Sequence, residues 1–237
     1  MWSDKRIIDL TLTLKEGMRG VATETTYTVA EHGWNASTYH LYSHAGTHLD
    51  APLHYDVSDK TVEDIPLSQC MGPAWVADVS HIGPKGLITV AHLGDIPNRI
   101  APGDSLLIKT GWSKYHGKPA YREELPRISE ELACWCAERN LPMVGVEPPA
   151  VADPFNREEI TQIHRILLGA DIVIVEGLTN LDALTRDKVM FCAVPIKIAG
   201  DGAPVRAFAV EFDSENGSEI GSENGSAFDS TFDSEEG

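Results

Sequence analysis

From His44 to His54 the chain reads His-Ala-Gly-Thr-His-Leu-Asp-Ala-Pro-Leu-His, three histidines and one aspartate in eleven residues. Neutral imidazole and carboxylate bind Zn²⁺, Mn²⁺ or Fe²⁺ at neutral pH, and no cysteine in the stretch competes for a softer ion. His44 and His48 stand four apart, but Gly46 and Pro52 argue against a regular helix through the run. The expected conformation is a strand end and turn, with Gly46 permitting a sharp backbone and Pro52 stiffening the exit. Such a turn can aim His44, His48 and Asp50 at one point and leave His54 beside it. The competing reading is a surface turn that happens to be rich in histidine, which would suit one histidine better than three.

A second constellation follows more than a hundred residues downstream. Asn156 reads as an N-cap with Glu159 at the reciprocal capping position, and Ile160, Ile163 and Leu167 follow at helical spacing. His164 falls on the same inward face, and Gly169 closes the helix. Ile172 to Val175 is an apolar, β-branched run that suits a buried strand, and Glu176 arrives where it ends. A carboxylate there is costly unless paired or bound to a cation. Taken singly, His164 reads equally as a satisfied core histidine and Glu176 as a salt-bridged strand end.

The elements that must position these groups alternate. Segments 75–79, 105–110, 143–146, 172–175 and 191–198 read as strands, and 129–140 and 157–168 as helices. The first helix opens on Ser129 with Leu132, Cys136 and Trp135 inward. This order implies an α/β domain with a mixed sheet over residues 1–211. His40 lies in a strand-like stretch and is expected to pack. Segment 15–34 carries Met18, Val21, Tyr27, Val29 and Trp34 without a clear internal partner, as an interface would.

At 237 residues the chain can bury one sizeable core. No run approaches a membrane span, the N-terminus lacks the apolar segment of a secretory signal, and four scattered cysteines suit a reducing cytoplasm. Nine of the 36 acidic residues lie from Glu211 onward with no basic residue among them, leaving 27 acidic against 19 basic in the remainder. That acidic body excludes nucleic acid as a partner, since binding it needs a positive face. Residues 212–237, with Ser-Glu-Asn-Gly-Ser twice and Phe-Asp-Ser three times overlapping their start, form an acidic Ser/Gly-rich tail expected to be disordered.

His44-x-x-x-His48-x-Asp50-x-x-x-His54, with Gly46-Thr47 and Pro52, resembles the signature of the cyclase family of metal-dependent hydrolases, which includes bacterial kynurenine formamidase and isatin hydrolase. The resemblance runs through about residues 7 to 211, with Asp9-Leu10-Thr11 as opening strand, Leu107 to Trp112 as central strand and turn, and Val205-Arg206-Ala207 as closing strand. It implies a swivelling β/β/α fold, and it implies that His44, His48 and Asp50 bind one divalent metal, Zn or Mn. Asp50, His164 and Glu176 would hold a second ion or complete the first site, and His54 matches the proton-transfer position. It also implies a homodimer or homotetramer acting on a small molecule.

Two departures leave the substrate open. Kynurenine formamidases tend to carry a Pro- and Trp-containing loop after the first strand, where this chain has Lys15-Glu16-Gly17-Met18-Arg19-Gly20-Val21. The family's Gly-Val-Asp-x-Pro-Ser-Val stretch appears with Glu147 for Asp and Ala150 for Ser, near the expected site mouth. The implied activity is hydrolysis of an amide-type C–N bond in an aryl formamide, lactam or related cyclic amide. Lactone or carbamate hydrolysis, dehydrative ring closure, and a catalytically silent metal-binding protein are the alternatives.

Overall fold

The computed structural model describes residues 5–212, so the tail expected over 212–237 lies outside the described residues from 213 on. The strands are β1 (Lys5–Asp9), β2 (Val21–Tyr27), β3 (Ala36–Leu41), β4 (His48–Asp50), β5 (Met71–Asp78), β6 (Leu87–Ile88), β7 (Ser105–Lys109), β8 (Arg127–Ile128), β9 (Met143–Val146), β10 (Val173–Glu176), β11 (Lys188–Pro195) and β12 (Gly202–Phe212). Eight form one mixed sheet in the order β1-β12-β11-β5-β7-β9-β10-β4. β4 also pairs with the first residues of β12, so the sheet curls until it meets itself. β5, β7, β9 and β10 run parallel, and the remaining pairings are antiparallel.

The parallel strands are continuous apolar runs because both faces are covered. Leu106, Ile108, Val144, Val146 and Ile174 point outward onto Leu132, Trp135, Cys136, Ile163 and Leu167 of helices Glu130–Glu138 and Arg157–Gly169. Leu107, Met143, Val173 and Val175 alternate to the inside of the curl, against Leu49, Phe191 and Ala207. One mixed-sheet α/β domain results, as the order of elements implied.

Strand and helix expectations hold with shifted ends. β5 starts at Met71, β10 ends on Glu176 and β11 stops at Pro195. Ser129 caps its helix by accepting the Leu132 N–H, and Asn156 accepts the Glu159 N–H at 3.3 Å. Glu159 does not complete a reciprocal cap, because its carboxylate goes to Arg127 at 2.7 Å. Gly169 is the last helical residue rather than the stop. Segment 15–34 does have an internal partner, since β2 pairs with β3 in a two-stranded hairpin. Both strands of that hairpin are largely exposed, so they carry no burial pattern by which to recognise them. His40 accordingly does not pack; it is exposed on β3, 3.2 Å from Glu24.

Candidate metal centre

β4 is three residues long and wholly buried. His48 and Asp50, two apart on a strand, project from one face. β4 pairs antiparallel with β10 so that His48 lies opposite Glu176. The strand-end carboxylate thus reaches the histidine motif by register alone. His164 approaches from the inward face of the helix Arg157–Gly169.

The approach of these segments depends on two glycines. Gly177 follows β10 at φ +68°, and a Cβ there would lie 2.5 Å from the Gly46 carbonyl oxygen. Thr47 fastens the same junction: its hydroxyl donates to the Gly177 carbonyl at 2.6 Å and accepts the Leu12 N–H at 2.8 Å. A Cβ on Gly202, at the start of β12, would lie 2.7 Å from the His44 ring. His44 occupies the room that glycine leaves.

Six sequence-selected residues meet here. His48 Nδ1 is 3.0 Å from the Gly46 carbonyl and His164 Nδ1 is 2.7 Å from the Ile160 carbonyl, so in each ring Nδ1 donates and a neutral ring presents the lone pair of Nε2. Those Nε2 atoms point at carboxylates: His48 lies 3.3 Å from Glu176 and 3.7 Å from Asp50, His164 3.5 Å from Glu176 and 3.6 Å from Asp50. His44 Nδ1 lies 2.8 Å from Asp50 Oδ1, the same oxygen that faces His48. Glu176 also accepts the Val151 N–H at 2.8 Å. His54, on the short turn Pro52–Tyr55, stacks 4.0 Å from the His44 ring.

Two buried atoms at this point, His48 Nε2 and Asp50 Oδ2, have no hydrogen-bond partner. Two buried carboxylates facing imidazole lone pairs require either protons or a cation. Without a cation, burial opposes protonation of His44, but hydrogen bonds to and charges on Asp50 and Asp201 outweigh it and raise its pKa to about 9. Burial likewise opposes protonation of His164, which Asp50 and Glu176 raise to about 10. His54 behaves oppositely: burial lowers its pKa from 6.5, and the net effect of its neighbours does not restore it. Ligand atoms of His44, His48 and Asp50, and likewise of Asp50, His54 and His164, lie within 4.8 Å of one another. The oxygen and imidazole donors, their separation and the orphaned atoms all fit a divalent cation.

Sequence reasoning missed Asp201. Its Oδ2 lies 2.8 Å from His44 Nε2 and 3.3 Å from His54 Nδ1, and it forms a third ligand-like group with those rings. Only Gly200 and Gly202 flanking an acidic residue before the closing strand could have signalled it. Glu147 is the converse case, because it is buried and does not line the site mouth. It accepts from the Thr110 N–H and hydroxyl, the Gly111 and Trp112 N–H groups and the Ser113 hydroxyl, fixing the turn after β7. Ala150 does face the site, lining a cavity of about 670 Å³ whose floor includes His48, His164 and Glu176.

The family model described as "Putative cyclase" matches residues 8–153. The chain belongs to the Cyclase family. It is 32% identical over 174 residues to a kynurenine formamidase of Salinibacter ruber, covering 73% of this chain and 78% of that one. A Bacillus cereus kynurenine formamidase is 33% identical over 169 residues, 69% of this chain and 74% of the relative. Among solved structures, isatin hydrolase A from Labrenzia aggregata, bound to benzyl benzoate, superposes with a TM-score of 0.81 at 26% identity, over 89% of this chain and 95% of that one. A potential metal-dependent hydrolase with cyclase activity gives a TM-score of 0.69 at 28% identity, over 87% and 98%.

Proposed function

We propose that this protein is a divalent-metal-dependent hydrolase that opens an amide-type C–N bond, in an aryl formamide or in a lactam such as isatin. The observation that carries this reading is the pair of partnerless buried atoms, His48 Nε2 and Asp50 Oδ2, the first in the wall of a cavity large enough for an aromatic substrate and the second buried behind it. The names of the relatives support the bond type. The open cavity also argues against a closed structural metal site.

His44, His48 and Asp50 would hold one ion, Zn or Mn, and Asp50, His164 and Glu176 would hold a second or complete the first. When bound, the ion supplies Lewis acidity, polarising a carbonyl and making water nucleophilic near neutral pH. Asp201 Oδ2 lies 3.3 Å from His54 Nδ1, a proximity that favours the proton on that nitrogen and leaves Nε2 free to take another. Its lowered pKa keeps that ring neutral at pH 7, so Nε2 accepts the proton of the attacking water and returns it to the leaving nitrogen. Asp201 also accepts from His44 Nε2, which turns Nδ1 of that ring toward Asp50. The Tyr55 ring stacks on His164 at 4.3 Å, and its hydroxyl stays protonated, with a pKa raised to about 12 by burial and then by Glu176 and Asp50.

The assembly proposed is a homodimer or homotetramer working on a small molecule in the cytoplasm. All four cysteines are free, and no helix among the described residues is long and apolar enough to cross a membrane.

The test is removal of metal with a chelator followed by assay on formylkynurenine and isatin. Turnover is expected to vanish with the metal and to return with Zn²⁺ or Mn²⁺. Full activity in a demonstrably metal-free preparation would sink the reading.

A further inference from the structure

The chain as a whole is strongly acidic, with 36 acidic residues against 19 basic. The cavity above the metal centre reverses that sign. Lys15, Arg19, Lys118 and Arg122 all line it, from two segments far apart in sequence. The carboxylates that line it are Glu16 and Glu176. Glu176 is turned to the histidines, and Glu16 accepts the Thr23 N–H at 2.7 Å. No carboxylate of the described residues lies within ion-pairing distance of any of the four cations. Two of them lie over aromatic rings instead, the Arg122 guanidinium over Phe155 and the Lys118 ammonium over Tyr115. The positive field also reaches inward. His116, on the same wall, has a pKa lowered by burial and then by the charge of Lys15.

Unpaired cations beside a low-dielectric cleft concentrate anions there, and guanidinium groups fix carboxylates by paired hydrogen bonds. Two of the four, Lys15 and Arg19, belong to the loop that departs from the formamidase pattern. An acidic surface with a cationic mouth distinguishes where an anion is attracted from where it is repelled.

We propose that Lys15, Arg19, Lys118 and Arg122 form a cationic rim that selects amide substrates carrying a carboxylate remote from the scissile bond. This rests on the hydrolase reading above and adds to it the charge of the substrate.

The metal-loaded protein is assayed on three aryl formamides of similar size: neutral formanilide, anionic 4-formamidobenzoate and cationic 4-(aminomethyl)formanilide. The expected order of kcat/KM is anionic, neutral, cationic, with about tenfold or more between the first two at low salt. That ratio should shrink as ionic strength rises, because the Debye length falls to about 10 Å at 0.1 M. The double variants Lys15→Gln/Arg19→Gln and Lys118→Gln/Arg122→Gln should each lower the anionic-to-neutral ratio several-fold. Lys85→Gln, a cation away from the cavity, should leave it in place. A ratio of one or less in the native protein, or one indifferent to both double variants, overturns the rim. If none of the three is hydrolysed, the hydrolase reading fails for aryl formamides and calorimetric binding decides the rim. In that case 4-aminobenzoate must bind more tightly than aniline, by a margin that the rim variants reduce; equal binding, or a margin they leave intact, overturns it.

Discussion

His54 and His44 lie in van der Waals contact, yet the reading proposed above gives them different work. His44 Nδ1 faces Asp50 at 2.8 Å, inside the ligand cluster, while the nearest carboxylate to His54 is Asp201 at 3.3 Å. On that reading His44→Ala removes a ligand, so metal content and turnover should fall together. His54→Asn should keep the metal while kcat drops by roughly 10²–10⁴-fold, the usual loss of a general acid–base group. Metal analysis beside steady-state kinetics separates the two; a metal-free His54→Asn protein would make His54 a ligand. Asp201→Asn belongs to the same experiment. It keeps the shape but loses the charge that orients both rings, which typically costs about 10–100-fold in metal affinity or activity. Unaltered affinity and kcat would remove Asp201 from the machinery. The three histidines and Asp50 were legible because their residue types are rare at such density. Asp201 was not, because a lone aspartate between glycines reads as an ordinary turn until the fold sets it against His44.

The elements explain why candidate ligands so distant in sequence converge. Glu176 reaches His48 through the antiparallel register of β10 on β4, and that register requires the chain to leave β10 at once, through Gly177. Alanine there meets two penalties, a left-handed φ of +68° and contact with the Gly46 carbonyl. Backbone strain of this kind is worth about 1–3 kcal/mol. Gly177→Ala should therefore lower both Tm and metal affinity, whereas Gly83→Ala, at a negative φ with open space around it, should lower neither. Thermal unfolding with and without added metal checks this, and a native-like Gly177→Ala protein would deny the junction its role. The buried strands and the two long helices were legible from periodicity and capping residues. The hairpin of β2 and β3 was not, because strands exposed on both faces lack the alternation that marks a half-buried strand. Nor was the second pairing of β4, with β12, which depends on sheet curvature and on no local sequence signal.

At the scale of the molecule, that hairpin is the part the fold leaves unsupported. It forms a sheet of its own, and a two-stranded ribbon in water is marginally stable. Its side chains are those of a contact surface: Tyr27, Val29, Trp34, Tyr39 and Leu41 are exposed, and Tyr27, His32 and Trp34 cluster at its end with ring centres 5.0 to 6.4 Å apart. Val21 and Met18, which the sequence placed on the same surface, are instead buried or turned to the cavity wall. The surface is therefore narrower than segment 15–34 and includes β3. A symmetric pair suits such a patch, because each copy presents the same aromatics to the other. Sedimentation at micromolar concentration is expected to give a dimer or tetramer. Trp34→Asp/Tyr39→Asp should shift it toward monomer and lower Tm in a concentration-dependent way, since assembly stabilises by mass action. Because the hairpin rejoins the body at Tyr42, which lines the cavity, loss of assembly is also expected to raise KM. A native protein that sediments as a stable monomer would leave these aromatics without the partner proposed for them.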